Sequence, residues 1–93
     1  MKAAAVVLDF SYRYFLGVPH TRFSPQVAIR LGKNIARIRT KAGISQDQMA
    51  ELVGISTRYI QRIEQGENIP SLTILLTLRK ILKTNWDDIY AGL

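Results

Sequence analysis

The residues best suited to chemistry in this sequence are two arginines, Arg58 and Arg62, in a segment with helical spacing. Residues four apart lie on the same face of a helix, so both guanidinium groups are expected on one side. An arginine fork matches the O6 and N7 acceptors of guanine, which makes the pair suited to binding nucleic acid. The spacing alone leaves open the commoner alternative, that both arginines only keep a helix face solvated.

Catalytic and metal-binding chemistry has little support in the sequence. The chain has no cysteine, and its single histidine, His20, is expected in an exposed loop. The adjacent acids Asp87 and Asp88 stand at the start of a predicted helix, where acidic side chains favour the positive end of the helix dipole. No phosphate-binding glycine loop is present. We therefore expect no enzyme activity, no cofactor and no metal, and no small-molecule ligand is evident.

Composition limits the class of partner. The 93 residues, 47% of them hydrophobic, are enough for one compact domain. A formal net charge of +6 favours a polyanion, either nucleic acid or an anionic membrane surface. No window approaches the roughly 18 uncharged apolar residues needed to span a bilayer, which favours nucleic acid over a membrane. Asp9 and Arg13 cut the N-terminal apolar run short of a signal peptide, so we expect a cytoplasmic protein.

The chain changes character shortly before Pro25. Residues 6–16 alternate apolar and other side chains with a period of two, which predicts a β-strand arm within residues 1–23. The remaining segments are helical, so such a strand lacks a partner in its own chain. We expect it to pair with the same strand of a second copy and to pack on a surface that includes Ile74 or Ile81. The alternatives are a disordered tail, or residues translated from upstream of the true start codon.

Cap residues and glycines divide residues 24–93 into five predicted helices. Their bounds are Pro25 to about Lys41 or Ala42, Ser45 to Gly54, Ser56 to Gly66, a fourth from Pro70 and Ser71, and a short fifth from Asn85. Ser24 is the expected N-cap of the first helix, and Ser45-Gln46-Asp47-Gln48 is a capping box. The residues assigned to the core are Ile35, Ile38, Met49, Leu52, Ile60, Ile63, Leu75, Leu82 and Ile89. The sequence therefore predicts a compact all-α domain of five helices with an N-terminal β-strand arm.

The order of several short features from residue 31 to residue 93 resembles the phage repressor and Cro family of helix-turn-helix domains, also called the XRE family. The residues that carry the likeness are Ile35, Ile38, Arg39, the stretch Gly43-Ile44-Ser45-Gln46, Ala50, Gly54, Ile60, Ile63-Glu64, Gly66 and Pro70-Ser71-Leu72. The resemblance implies a repressor-like bundle whose third helix, Ser56 to Gln65, lies in the DNA major groove.

The resemblance also implies roles for individual residues. Base edges would be contacted by Thr57, Arg58 and Arg62. Phosphates would be contacted by Gln46, Ser56, Tyr59 and Asn68. Arg39 and Glu64 occupy positions at which related repressors form an internal ion pair, which would orient the third helix. The fourth helix departs from the family pattern at Arg79, Ile74 and Ile81, and its surplus apolar positions are a candidate dimer surface.

These expectations predict a sequence-specific regulator of transcription that binds double-stranded DNA. One such helix reads only a few base pairs, so a homodimer on a palindromic operator is needed to compete with other genomic sites. The sign of regulation stays open, as does the choice among a phage-type regulator, a restriction-modification controller and an antitoxin. The alternative function is a protein-interaction module that uses this fold as a scaffold.

Overall fold

A computed structural model describes residues 25–93, which form five α-helices and no strand. Their bounds are α1 Pro25–Lys41, α2 Gln46–Val53, α3 Thr57–Glu64, α4 Leu72–Leu82 and α5 Trp86–Ile89. The predicted five-helix, all-α architecture is confirmed. The predicted N-terminal arm, its pairing, the Ser24 cap and the His20 loop lie outside the described residues. Across residues 25–93, no helix is both long and apolar enough to traverse a bilayer.

Side-chain caps begin four of the five helices. The capping box at α2 is present, because Ser45 Oγ accepts from the Gln48 amide at 3.0 Å and Gln48 Oε1 accepts from the Ser45 amide at 2.8 Å. Ser56, Ser71 and Asn85 each accept one amide in the first turn of the helix that follows. Each such cap contributes about 1 kcal/mol to helix stability.

A glycine with positive φ sets the turn between α2 and α3. Gly54 has φ 85° and ψ 31°, and its amide donates to Ala50 O. A residue with a Cβ rarely adopts this left-handed conformation, so glycine permits the sharp change of direction. The turn allows α3 to cross α2 closely, and α2 in turn packs against α4.

The hydrophobic core lies between all five helices and contains most of the predicted residues. Its buried members are Leu31, Ile35, Met49, Ala50, Ile60, Ile63, Leu75, Leu78, Leu82 and Ile89. Ile38 is partly buried and packs against this cluster. The prediction for Leu52 is wrong, because its side chain is 60% exposed. The inward face of α2 is occupied by Met49, Ala50 and Val53, and Leu52 lies at its flank.

Helix α1 contacts its neighbours through Gly32 and Asn34, two residues to which the sequence analysis gave no role. A Cβ on Gly32 would collide with the carbonyl oxygens of Ile63 and Glu64, so glycine permits the close approach of α1 and α3. On another side of α1, the buried amide of Asn34 donates 2.8 Å hydrogen bonds to Ile89 O and Ala91 O. Helix α1 therefore holds both α3 and the C-terminal end of the chain.

Candidate nucleic-acid interface

Helix α3 has one buried face and one exposed face. Ile60 and Ile63 are almost fully buried, whereas Arg58 and Arg62 are exposed on the opposite side. The Nε atom of Arg62 lies 4.0 Å from a carboxylate oxygen of Glu67, and both side chains are about half exposed. An exposed pair at this distance contributes at most about 1 kcal/mol, so it leaves the Arg62 guanidinium available to another partner.

The first turns of α2 and α3 are joined by a hydrogen bond. Thr57 Oγ1 donates to Asp47 Oδ1 at 2.8 Å. Ser56 Oγ accepts from the Tyr59 amide at 3.1 Å, which leaves the Ser56 hydroxyl proton free to donate to an incoming anion. Tyr59 is half-buried and packs against the core. The two helix N-termini therefore adjoin, and such ends attract anions through free amides and the helix dipole.

A network of charged and polar side chains ties α3 to α1 and α2. Arg39 Nε donates to Glu64 Oε2 at 2.6 Å and Arg39 Nη2 donates to Glu64 Oε1 at 3.1 Å. Gln46 Nε2 donates to the same Glu64 oxygen, Oε1, at 2.9 Å. The third Arg39 bond runs from Nη1 to Ile44 O at 2.8 Å. The structure thus brings the two predicted ion-pair partners together and adds Gln46 and a backbone carbonyl to them.

The ion pair at the centre of this network is largely buried, which indicates a structural role. The Arg39 and Glu64 side chains are only 14% and 6% exposed, so neither charge is well hydrated. A planar guanidinium and a carboxylate that share two parallel hydrogen bonds constrain both distance and orientation. Because Glu64 is in the last turn of α3, the network holds the C-terminal end of that helix against α1 and α2. The hydrogen bonds of the network are all internal to the domain, and Gln46 joins it from the first turn of α2.

The predicted phosphate contacts do not all lie together. Gln46, Ser56 and Tyr59 belong to the adjoining first turns of α2 and α3 or to their caps. Asn68 follows the opposite end of α3, where its amide donates to Arg62 O at 3.3 Å. Eight helical residues span about 12 Å, so Asn68 is removed from the other three by roughly the length of α3.

Metal chemistry has no site in the part of the chain that the structure describes. Residues 25–93 contain no group of three or more His, Cys, Asp or Glu side chains placed to hold a metal ion. The adjacent acids Asp87 and Asp88 are in the first turn of α5, where the Asp88 amide donates to the Asn85 cap. Their position agrees with a helix-dipole role.

Comparison with known proteins shows to which family the chain belongs. The helix-turn-helix family model HTH_3 matches residues 35–89, which is more than half of the chain. The uncharacterized HTH-type transcriptional regulator YgzD of Bacillus subtilis is 29% identical over 56 residues, covering 60% of this chain and 85% of that protein. Control protein C.SmaI of Serratia marcescens is 34% identical over 55 residues, covering 59% of this chain and 66% of that protein.

A solved structure shares the same arrangement. The restriction-modification controller protein C.AhdI from Aeromonas hydrophila superposes with a TM-score of 0.64 at 27% identity, covering 68% of this chain and 96% of that chain. Longer relatives from three Pyrococcus species match over 50 residues, and this chain spans 16% of their length.

Proposed function

The chain belongs to the HTH_3 family of helix-turn-helix proteins and is a DNA-binding regulator of transcription, not an enzyme; on this premise we propose that a homodimer inserts α3 into the major groove of a palindromic operator. The observation that carries the proposal is the division of α3 into a face held by the core and a face that presents Arg58 and Arg62.

Base reading is assigned to the exposed side of α3. Arg58 is in its first turn and has no ion-pair partner among residues 25–93, so its fork is free to bind the O6 and N7 atoms of a guanine. Arg62, one turn later in α3, would contact a neighbouring base pair. To do so it would give up its weak contact with Glu67. Thr57 is engaged with Asp47 through its hydroxyl, so its contact with a base would come from its methyl group.

Phosphate binding is assigned to the adjoining starts of α2 and α3. The Ser56 hydroxyl is free to donate, and Tyr59 supplies a second hydroxyl from the first turn of α3. Gln46 uses one amide hydrogen on Glu64, which leaves its second amide hydrogen and its backbone N–H for a phosphate oxygen. Asn68 would contact a separate phosphate beyond the far end of α3. These contacts set the position of the protein on the duplex and carry no base preference.

The type of regulator is proposed from the matched proteins. Two of them, C.SmaI and C.AhdI, are described as a control protein and a restriction-modification controller. We favour a controller over an antitoxin or phage-type regulator for this reason. A controller of this kind should bind a DNA segment beside restriction-modification genes, which a mobility-shift assay with that segment measures. Absence of preference for that segment over random DNA would contradict the assignment.

The experiment that tests the function is selection of binding sites from random DNA, followed by footprinting of the selected site. The expected result is a two-fold symmetric sequence with two protected half-sites about one helical turn apart. A selection that yields no enriched sequence would contradict the proposal and favour the interaction-module alternative. A single, asymmetric protected site would retain DNA binding and reject the dimer on a palindrome.

A further inference from the structure

Gln61 lies on the exposed face of α3, among the residues proposed to contact bases, although the sequence pattern did not single it out. Its side chain is exposed, as are those of Arg58 and Arg62 in the same helix. Its side-chain amide forms no hydrogen bond within residues 25–93. The oxygen and both N–H donors of this amide are therefore free to bind a partner outside the domain.

Helix geometry gives Gln61 the same access to DNA as Arg62. Successive residues of an α-helix are rotated by about 100° around the axis. The direction midway between the buried residues Ile60 and Ile63 points into the core. Relative to the opposite, outward direction, Gln61 and Arg62 are each rotated by roughly 50°, one to either side, with Arg58 between them. A groove that admits Arg62 on one side of α3 therefore admits Gln61 on the other.

The other side chains of α3 leave this role open. Thr57 was predicted to contact a base, but its Oγ1 atom donates to Asp47 Oδ1 at 2.8 Å. The carboxylate of Glu64 is only 6% exposed and is turned toward Arg39, so no acid of α3 opposes DNA on the outward face. The polar contact that the Thr57 hydroxyl would have made to a base can come from Gln61 instead.

A free glutamine amide matches one base in the major groove. Adenine presents an acceptor at N7 and a donor at its N6 amino group, and the nitrogen and oxygen of the amide bind both at once. Guanine and thymine present acceptors, and cytosine presents a donor, so each of them engages only half of the amide. The chemistry of Gln61 therefore favours adenine.

The spacing between Gln61 and Arg58 indicates where this adenine lies. Three residues advance about 4.5 Å along an α-helix, which is close to the rise of about 3.4 Å between successive base pairs. The two side chains are therefore expected to reach neighbouring base pairs.

We propose that Gln61 is a specificity-determining residue that binds one adenine in each half-site, next to the guanine assigned to Arg58. Gln61 Oε1 accepts from the adenine N6 amino group, and Gln61 Nε2 donates to adenine N7. This contact depends on the proposed insertion of α3 into the major groove. It adds an uncharged base contact to those of the two arginines.

Binding of the full chain to operator variants tests the contact. The probe is the operator that the parent protein selects, with each base pair replaced in turn in both half-sites. We expect Gln61→Ala to bind the parent operator about tenfold more weakly and to lose the preference at the adenine pair alone. Gln65→Ala is the matched control, because Gln65 is also an exposed glutamine but follows the last residue of α3. Its base preferences should equal those of the parent.

Three outcomes would overturn the contact while operator binding by the parent stays intact. They are an unchanged preference of Gln61→Ala at every base pair, an equal loss of affinity for operator and random DNA, and a Gln61-dependent preference for a base other than adenine. A parent that selects no sequence would instead overturn the proposed function and the contact together. Because Gln61 is exposed, its substitution should leave thermal unfolding nearly unchanged.

Gln61→Arg tests the contact by a gain of specificity. An arginine fork binds O6 and N7 of guanine, so this variant should prefer guanine at the pair where the parent prefers adenine. Retention of the adenine preference by Gln61→Arg would contradict the contact.

Base analogues test the two hydrogen bonds separately. 7-Deazaadenine lacks the N7 acceptor, and unsubstituted purine lacks the N6 amino donor. Each analogue at the assigned position should weaken binding by the parent about fivefold, as expected for the loss of one hydrogen bond. Neither should affect binding by Gln61→Ala, which has already lost the partner group. Equal weakening of the parent and of Gln61→Ala by both analogues would overturn the contact.

Discussion

At the scale of single residues, Glu64 links the folded core to the position of α3, the helix proposed to bind DNA. Its carboxylate accepts from Arg39 and Gln46, and it is one residue from Ile63, whose side chain is in the core. The folded state tolerates these buried charges only while both partners are present, because burial of an unpaired charge is unfavourable. Arg58, on the exposed side of the same helix, has no comparable structural contact, so its substitution separates binding from stability.

Replacement of one charge in the buried pair should strongly destabilise the domain. Arg39→Met or Glu64→Leu alone is expected to cost about 3 to 5 kcal/mol, because each leaves the other charge poorly hydrated. The double change Arg39→Met with Glu64→Leu should be much closer to the parent. Urea unfolding followed by circular dichroism measures all three. Single variants as stable as the parent would mean that the pair contributes nothing to folding.

Arg58→Ala should weaken binding to the selected operator by about 1 to 3 kcal/mol and relax the preference at one base pair in each half-site. The expected change is a lower ratio of operator affinity to random-DNA affinity, measured by titration at fixed salt. Lys80→Ala, which removes an exposed positive charge from α4, is the matched control and should leave this ratio unchanged. An unaltered ratio for Arg58→Ala would rule out its base-reading role.

At the scale of the elements, the position of α3 depends on how closely α1 approaches it. Gly32 permits this approach, and the network around Glu64 sets the orientation of the helix. Helix α2 contributes its N-terminus, where Gln46 links to α3 and the Asp47 carboxylate holds Thr57. The proposed DNA-binding surface is therefore formed by two short helices that both pack against other helices of the bundle, with α1 holding α3 in place.

Gly32→Ala should impair DNA binding more than its effect on stability explains. The added Cβ meets backbone carbonyls of α3, which cannot rotate away, so α3 must shift at a cost of about 1 to 3 kcal/mol. Gly43→Ala is the control. The added Cβ has open space around it, so it meets no other helix. The substitution still costs about 1 to 2 kcal/mol, because an alanine is strained at the φ of 75° that Gly43 adopts.

Both glycine variants are compared by thermal unfolding and by operator binding at a temperature where each is folded. We expect similar losses of stability but a loss of affinity only for Gly32→Ala. Equal operator affinities would show that α3 tolerates displacement and that the close packing serves stability alone.

At the scale of the whole molecule, we expect net charge and the proposed dimer to determine how the protein finds an operator. The net charge of +6 favours association with any DNA, and that non-specific attraction weakens as salt rises. Specificity requires more base contacts than one α3 supplies, which is the reason for proposing two copies.

The operator complex should contain two chains. Each chain has a mass of 10.5 kDa, so light scattering on the complex with an operator duplex is expected to show twice that mass in addition to the DNA. A half-site duplex should bind much more weakly than the full operator. One chain per operator, or equal affinity for half-site and full duplexes, would reject the homodimer.

The helices themselves were determined by signals within a few residues of each other. Ser45 and Gln48 form the capping box, and Gly54 ends α2, because capping and left-handed turns depend on neighbouring backbone atoms. The order of these local signals was also sufficient to indicate the helix-turn-helix family, and the resemblance to that family implied the pair of Arg39 with Glu64. These parts of the fold were predictable from the sequence alone.

Tertiary structure decided the features that depend on distances between remote residues. Leu52 fits the helical pattern of α2, yet its side chain is outside because other residues occupy the inward face. Gly32 and Asn34 acquire their roles only when α3 and α5 are brought against α1. Gln46 meets Glu64 across 18 positions of sequence, so no local pattern records the hydrogen bond. Packing between helices depends on the complete three-dimensional arrangement, which short-range spacing does not specify.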